Sequence, residues 1–110
     1  MKYIIGIDLG GTNLKLGLFD YNLKIKCKEI LNTKTFRTKE KLIKIIVASI
    51  EDILIRNRLR SNDILGIGLG LPGPVDSQRG IVHFFPNIPG WREVPLKKIL
   101  RDKLGVSVYI

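Results

Sequence analysis

The chain has 110 residues, 45% of them hydrophobic, and its formal net charge is +9. It is long enough to bury the core of one domain, and its single cysteine, Cys27, excludes an internal disulfide bond. No apolar run approaches the roughly 20 residues of a membrane-spanning helix, and the first residues lack the profile of a signal peptide. We therefore expect one ordered cytoplasmic domain with no membrane partner.

The positive charge is concentrated between Lys24 and Arg60, where eleven Lys and Arg stand against four Asp and Glu. Such an excess can mark a surface for nucleic acid or another polyanion. However, no basic stripe is interleaved with aromatic residues, as the binding of a single strand requires. We expect a solvated basic face and no nucleic acid; an acidic partner segment outside this chain is the alternative.

Three strands are predicted at the start of the chain. Residues 3–7 are apolar and β-branched, as in a strand buried on both faces, and residues 14–19 follow after a short gap. The third strand alternates between a predicted buried face and a lysine face: Leu23, Ile25 and Cys27 against Lys24, Lys26 and Lys28. Lysines are typical of a sheet edge, where they block unwanted pairing. A slip in the alternation at Ile30 and Leu31 predicts a bulge or the strand end there.

Helices and strands alternate in the rest of the chain, which is typical of an α/β fold. Thr38 is the predicted N-cap of an amphipathic helix that runs to about Asn57. Further predicted elements are a glycine-rich strand over 64–71, a short strand over 80–85, a helix from Val94 with Pro95 in its first turn and Gly105 after its end, and a strand over 106–110.

A candidate phosphate loop lies between the first two strands. Gly10 and Gly11 permit positive φ angles, so successive backbone N–H groups could converge on an anion. Asp8 closes the first strand beside them, and a carboxylate there would repel a polyphosphate unless a divalent cation stood between them. Thr12 adds a hydroxyl donor and Lys15 a mobile cation. The alternative is a simple hairpin turn in which Asp8 is a local acceptor.

The glycine-rich strand ends in a second candidate loop. Gly66, Gly68 and Gly70 fall on one face, so either the preceding helix or a ligand should pack close to the backbone there. Gly68, Gly70 and Gly73 also match the G-x-G-x-x-G pattern, but no helical pattern follows Pro74, which argues against a dinucleotide site. We interpret the segment as a rigid loop at the carboxyl end of a buried strand, a place where α/β proteins bind ligands.

A third irregular segment spans residues 86–91. The Asn87 amide can both donate and accept hydrogen bonds, which suits sugar hydroxyls, although it could equally satisfy its own loop backbone. Trp91 could pack against the apolar face of a sugar, or it could be an anchor in the core or at a hinge. The only histidine, His83, has no Cys, Asp or Glu nearby in sequence and is expected to pack in a partly buried position.

Three segments in this order resemble the ROK family of sugar kinases and repressors: Ile7-Asp8-Leu9-Gly10-Gly11-Thr12, Gly68-Leu69-Gly70-Leu71-Pro72-Gly73-Pro74-Val75-Asp76 and Pro86-Asn87-Ile88-Pro89-Gly90-Trp91. The first is similar to the phosphate-1 motif of the actin and hexokinase superfamily. The resemblance implies a ribonuclease H-like (actin-like ATPase) fold, with a mixed sheet that starts as an antiparallel three-strand meander and continues in helix-strand units. It also implies that residues 1–110 are the N-terminal lobe of a longer protein.

The resemblance implies an ATP-dependent hexose kinase of glucokinase type. Gly10, Gly11, Thr12 and Lys15 would bind ATP, Asp8 would hold Mg²⁺ through water, and Gly73 and Asn87 would contact the hexose. No catalytic residue is expected in this chain, because the family's general-base aspartate would follow just beyond Ile110. The family's second phosphate loop, adenosine site and zinc-binding His and Cys cluster would also lie outside it, so the chain alone should be inactive.

Two alternatives remain open. One is a sugar-sensing transcriptional regulator of the same family, which would carry a winged-helix domain ahead of the phosphate loop; because Met1 here begins the strand itself, we expect the kinase. The other is a non-catalytic half-domain that binds sugar or nucleotide and pairs with a separate C-terminal lobe. The complete protein is expected to be a homo-oligomer.

Overall fold

A computed structural model describes residues 2–33, 38–85 and 88–110. The predicted meander is present: β1 (Tyr3–Leu9) pairs antiparallel with β2 (Asn13–Asp20), which pairs antiparallel with β3 (Ile25–Asn32). The apolar residues at alternate positions of β1 and β2 share one face, which is buried because the helices cover it: Ile5, Ile7, Leu9, Leu14, Leu16 and Leu18.

The later elements follow in the predicted alternation. They are α1 (Lys39–Arg56), a 3₁₀ turn (Ser61–Asp63), β4 (Ile64–Gly70), β5 (Val75–Asp76), β6 (Ile81–Phe84), β7 (Arg92–Val94), α2 (Leu96–Leu104) and β8 (Val108–Tyr109). The strand order of the main sheet is β3-β2-β1-β4-β8, and both β4 and β8 run parallel to their neighbours. The predicted mixed sheet is therefore confirmed, while a second, antiparallel sheet of β5, β6 and β7 was not predicted.

The helix boundaries agree closely with the sequence signals. The Thr38 hydroxyl accepts a hydrogen bond from the Lys41 N–H at 3.2 Å, which caps α1, and Asn57 ends that helix. Gly105 ends α2 in the left-handed conformation, at a φ of 67°. Pro95 precedes the first residue of α2 instead of lying in its first turn, so that detail of the prediction was wrong. Neither described helix is both long and apolar enough to cross a membrane.

The third strand differs from the prediction in two ways. Leu23 and Ile25 are exposed, by 68% and 53%, instead of buried. Leu23 lies in the turn between β2 and β3, and the register shift at the start of β3 places Ile25 beside Phe19, on the sheet face away from the helices. The predicted irregularity at Ile30 and Leu31 was also wrong. The strand continues through both residues, and the register shift lies at its start, where Phe19 pairs with Ile25.

The other face of the main sheet carries several glycines and holds an open groove of about 380 Å³. Gly17, Gly6 and Gly68 are cross-strand partners on β2, β1 and β4. The Phe19 ring lies against Gly17, with 2.8 Å between a ring carbon and an ideal Cβ built there, and the Tyr109 ring lies similarly close to Gly66. Of the three glycines of β4, Gly66 makes room for the Tyr109 ring of β8, and an ideal Cβ on none of the three has an atom of the preceding helix among its nearest neighbours, a contact that was one of the two predicted alternatives.

Candidate functional site

Residues 10–12 connect β1 to β2 in a short loop that is fixed at both ends. The Gly10 N–H donates to the Asn13 carbonyl oxygen at 2.9 Å, which closes the turn. The Thr12 carbonyl accepts from the Thr33 N–H at 2.9 Å, which ties the loop to the end of β3. Because three strands hold it, the loop presents its backbone at a fixed position on the sheet edge.

The loop glycines do not adopt the conformation that we predicted. Neither Gly10 nor Gly11 has a positive φ, so the expectation of left-handed turn residues was wrong. Their importance is instead spatial. A Cβ built on Gly11 would meet no described atom within 4 Å, and one on Gly10 would meet only the Asn13 carbonyl oxygen, at 3.7 Å. The missing side chains leave the outer surface of the loop uncovered by the described residues.

Asp8 and Lys15 lie side by side below this loop. They are cross-strand partners on β1 and β2, and both side chains are exposed. Within the described residues, neither side chain forms an ion pair or hydrogen bond, so the hairpin-turn alternative in which Asp8 is a local acceptor lacks support. On the other side of Asp8, a carboxylate oxygen lies 3.7 Å from an ideal Cβ on Gly70, so glycine there leaves space beside the carboxylate.

These residues fit a magnesium ion held through water and a phosphate above it. Mg²⁺ usually keeps several waters and takes one or two carboxylates from the protein, which one free carboxylate such as Asp8 can supply. No group of three or more His, Cys, Asp or Glu side chains that could hold a metal occurs in residues 2–33, 38–85 and 88–110. The donor set therefore matches a cation shared with a ligand rather than a metal bound by protein alone.

The sheet topology brings the second candidate loop to the same edge. Because β1, β4 and β8 are parallel, their carboxyl ends lie together, and Asp8 is level with Gly70 at the end of β4. The loop after β1 carries Gly10 to Thr12, and the loop after β4 carries Gly73. This is the edge at which open α/β sheets place ligands.

Gly73 has a packing role in the structure. A Cβ at this position would lie 2.2 Å from the Phe84 carbonyl oxygen and 3.0 Å from a ring carbon of Phe85. The backbone of the loop after β4 therefore packs directly on the end of β6, immediately before the third irregular segment. His83 reinforces this contact, since its N–H donates to the Pro74 carbonyl at 2.9 Å.

Asn87, the second predicted hexose contact, lies outside the described residues. The flanking aromatic residues are described. Trp91 is 1% exposed and stacks on Phe85, with 4.5 Å between ring centroids and 28° between planes. Trp91 is therefore a core anchor in this structure, and its indole N–H is buried without a hydrogen-bond partner in the described part of the chain.

One polar pair was missed by the sequence analysis. His83 Nδ1 lies 2.9 and 3.0 Å from the two carboxylate oxygens of Glu93, and both side chains are partly exposed. The antiparallel pairing of β6 with β7 brings them together, although they are ten residues apart. Glu93 has a φ of 50°, which is rare for a residue with a side chain. His83 is half-buried, as expected, and it also contacts an acidic residue that is distant in sequence.

The fold and the site together define a class of protein. The mixed sheet with its antiparallel β3-β2-β1 meander is the fold of the actin-like ATPases, as the solved structures that it resembles show. Within that class the chain belongs to the ROK family, whose family model matches residues 4–110.

Individual relatives include both enzymes and regulators. The xylose repressor of Caldicellulosiruptor bescii is 36% identical over 107 residues, which are 97% of this chain and 27% of the repressor. The glucokinase of Thermotoga maritima is 35% identical over 107 residues, which are 97% of this chain and 32% of that protein. The chain thus spans between a quarter and a third of the length of these relatives, 27% and 32%.

A solved structure agrees with this relationship. The ROK family glucokinase from Streptomyces griseus, determined in complex with glucose and AMPPNP, superimposes with a TM-score of 0.79 at 30% identity. The match covers 98% of this chain and 32% of that protein.

Proposed function

We propose that this chain is the N-terminal lobe of an ATP-dependent hexose kinase of glucokinase type. The observation that carries the proposal is the free Asp8 carboxylate below the bare Gly10–Gly11 backbone, at the shared carboxyl edge of parallel strands. The similarity to named glucokinases, one of them solved with glucose and an ATP analogue, supports the choice of substrate and donor.

In this proposal the loop and its neighbours bind the nucleotide. The backbone N–H groups of Gly10 and Gly11 and the Thr12 hydroxyl would donate to phosphate oxygens. Asp8 would hold Mg²⁺ through water, and Lys15 would add positive charge beside it. Bound Mg²⁺ supplies neutralisation of the charge that develops on the transferred phosphoryl group.

The hexose would be held by the two later loops. Gly73 sets the path of the loop after β4 against Phe84, and Asn87 would offer its amide to sugar hydroxyls. The general base would be an aspartate just beyond Ile110, where β8 delivers the chain to the same edge as Asp8. Phosphoryl transfer depends on positioning across a closing cleft, so we expect this lobe to bind ligands without performing the reaction.

A sugar-sensing regulator is the second candidate, favoured by the 36% identity to the xylose repressor of Caldicellulosiruptor bescii. A regulator could keep the fold and the sugar loops while it lost the phosphate chemistry. The free carboxylate at Asp8 favours the kinase, because a sensor of sugar alone has no need of a cation site.

A coupled assay of hexose phosphorylation tests the proposal. The complete protein should phosphorylate a hexose in the presence of Mg·ATP, and the 110-residue chain should not. Sugar-dependent DNA binding by the complete protein, together with no turnover on any hexose tested, would favour the regulator. Robust turnover by the 110 residues alone would contradict the role given to the residues beyond Ile110.

A further inference from the structure

The turn between β2 and β3 carries two large side chains that the fold leaves uncovered. Tyr21 is 70% exposed and Leu23 is 68% exposed, while most of β2, immediately before them, is buried. Single exposed apolar side chains are common on protein surfaces. Two of them so close together, at the tip of a hairpin, instead form a protruding apolar point.

Leu23 is unfavourable at its position in two respects. Its side chain is mostly in water, and its backbone lies in the left-handed region at a φ of 65°, where a bulky side chain is strained. Asn or Gly tolerates this conformation better. The turn itself is firmly held, because the Asp20 carboxylate accepts hydrogen bonds from the N–H groups of Asn22 and Lys24. A fixed turn therefore presents a leucine where neither packing nor backbone conformation favours one.

This turn lies at the amino end of the parallel strands. Tyr3, at the start of β1, is level both with Asp20, where the turn begins, and with Ile64, where β4 begins. The segment between α1 and β4 therefore reaches the same end of the sheet, where the Lys2 ammonium group donates to the Asn62 carbonyl oxygen. The candidate site occupies the opposite, carboxyl end of β1, about 17 Å away at the usual rise of a strand.

The surface at this amino end is positively charged. Four exposed cations lie on the turn and the start of β3 or in the segment between α1 and β4: Lys24, Lys26, Arg58 and Arg60. Of these four, only Lys26 forms an ion pair in the described part of the chain, with Asp20 at 3.7 Å. Asp20 is only 8% exposed, and Asp63, the other acidic residue of these two segments, accepts a hydrogen bond from the Arg60 N–H. Positive charge therefore dominates the exposed surface around the apolar point.

We propose that this end of the sheet binds the headgroup region of an anionic lipid membrane. We call it the amino-end surface, and it consists of the apolar point and the four cations: Tyr21, Leu23, Lys24, Lys26, Arg58 and Arg60. The two apolar side chains enter the boundary between headgroups and acyl chains, and the cations contact the lipid phosphates around them. This contact needs no membrane-spanning helix, the feature on which the expectation of no membrane partner depended. The proposal does not depend on the kinase activity.

Both the charge and the shape of the amino-end surface favour a lipid membrane. Anionic lipids give a membrane a negative surface potential, which is complementary to the four cations. An acidic peptide or a nucleic acid would satisfy the cations but would leave Leu23 without an apolar partner. Fluid lipid can instead rearrange around a protruding side chain. Attachment at this end would also leave the carboxyl edge of the sheet, with the candidate site, facing the solution.

Sedimentation of the complete protein with lipid vesicles tests the proposal. The parent should bind vesicles of phosphatidylglycerol and phosphatidylcholine but not vesicles of phosphatidylcholine alone, and salt should weaken the binding. Leu23→Asn removes the apolar side chain without changing the charge, and asparagine suits the positive φ. This variant should therefore fold at least as stably as the parent but bind at least about threefold more weakly. The double variant Tyr21→Ser/Leu23→Asn should bind at least about tenfold more weakly.

A pair of charge variants separates a local effect of charge from a global one. Lys24→Gln and Lys41→Gln each remove one positive charge, but Lys41 is exposed in the first turn of α1, at the opposite end of that helix from Arg58. One cation beside an anionic surface contributes about fivefold in affinity. Lys24→Gln should therefore weaken vesicle binding about fivefold, and Lys41→Gln should weaken it less than about twofold.

Leu23→Trp measures directly whether the tip enters the lipid. Brominated lipid should quench the fluorescence of the introduced indole, and the parent protein in the same vesicles gives the background. A parent that does not bind anionic vesicles, or an introduced indole that is not quenched, would overturn the proposal. Equal losses in Lys24→Gln and Lys41→Gln would overturn it too, because they would indicate attraction by net charge alone. Binding that needs Lys24 but neither Tyr21 nor Leu23 would indicate an acidic peptide or a nucleic acid as the partner instead.

Discussion

Asp8 and Lys15 face each other across the β1–β2 pair, yet their side chains form no ion pair in the described part of the chain. An exposed ion pair contributes little to stability, so nothing in the fold requires these two charges to meet. Separated, the carboxylate can interact with a cation and the ammonium group with an anion. The arrangement is suited to a metal–phosphate ligand more than to a hairpin held by its own charges.

Asp8→Asn should lower the turnover of the complete enzyme by on the order of 100-fold, the usual cost of removing one electrostatic contact to the reacting group. The hexose KM should change little, because Asp8 is assigned to the cation and not to the sugar. Steady-state kinetics with Mg·ATP and hexose varied in turn would measure both effects. Asp102→Asn, an exposed carboxylate on α2, is the control. Unchanged Mg·ATP kinetics in Asp8→Asn would contradict the assignment of Asp8 to the cation.

Gly11→Ala separates a ligand role of the loop from a structural one. An alanine Cβ meets no described atom within 4 Å, and the backbone φ is not positive, so unfolding free energy should stay within about 0.5 kcal/mol of the parent. The same methyl group would occupy the surface assigned to phosphate. Mg·ATP binding to the complete protein should weaken by about tenfold or more, equivalent to ~1.4 kcal/mol. Calorimetric titration would measure this loss of affinity. Equal Mg·ATP affinities of the variant and the parent would show that Gly11 does not lie in the binding site.

Gly73→Ala should destabilise the chain by about 1–3 kcal/mol, because the new methyl group overlaps the backbone of β6 and must displace it. The nearest atom, the Phe84 carbonyl oxygen, lies only 2.2 Å from the ideal Cβ position. Gly68→Ala is the matched control in the same segment, since its Cβ meets nothing within 4 Å. Denaturant unfolding of both variants tests the difference. Equal stability of the two would show that the loop relaxes and that Gly73 has no packing role.

The parts of the fold that follow from local chemistry could be predicted from the sequence. The Thr38 hydroxyl and the Gly105 backbone determine helix ends through contacts within a few residues, so their signals are unambiguous. The three opening strands and the alternation of helices and strands follow from hydrophobic patterns, whereas the mixed topology of the sheet was implied by the resemblance to the ROK family. The position of the loop that follows Asp8 was also predicted correctly, because two consecutive glycines between apolar runs indicate a turn whatever their neighbours in the fold are.

Features that depend on distant neighbours could not be predicted. The alternation of Leu23 and Ile25 indicates a strand, but it shows neither the turn that holds Leu23 nor the register shift that places Ile25 on the other face of the sheet. The contact of His83 with Glu93 depends on the register of β6 with β7, which no local signal determines. The backbone conformation of Gly11 likewise could not be predicted from the sequence, because a pair of glycines is equally compatible with a left-handed turn.

Arg56 should stabilise the packing of the edge strand β3 on α1, because its guanidinium group binds both Glu29 on β3 and Asp52 on α1. Arg56→Met keeps most of the side-chain length and removes both contacts, and it should cost up to about 1 kcal/mol of unfolding free energy, as expected for half-exposed ion pairs. The cost should shrink in high salt. Urea unfolding at low and high ionic strength measures it. A loss that does not respond to salt would indicate packing instead of charge.

Asp20 should make the stability of the chain sensitive to acid. Its carboxylate accepts hydrogen bonds from the N–H of Lys24, at 3.0 Å, and of Asn22, at 2.9 Å. These bonds, the one from Lys24 foremost, and the Lys26 ammonium group at 3.7 Å hold the pKa of Asp20 below 3.8, against an opposing effect of desolvation. The folded state thus favours the charged form, so its contribution is present above pH 3.8 and is lost as the pH falls through the lower pKa of the folded protein.

Substitution of Asp20 separates this charge effect from the turn geometry. Asp20→Asn keeps an acceptor oxygen for the two N–H groups but cannot titrate, so its Tm should lie below that of the parent at pH 7 and approach it as the pH falls below 3.8. Asp20→Ala loses the acceptor as well and should remain less stable than the parent at every pH, because the turn that holds Leu23 at a φ of 65° loses two hydrogen bonds. Glu51→Gln, whose carboxylate has no hydrogen bond in the described residues, is the control. A constant Tm difference between Asp20→Asn and the parent across the acid range would show that Asp20 acts only through its turn contacts.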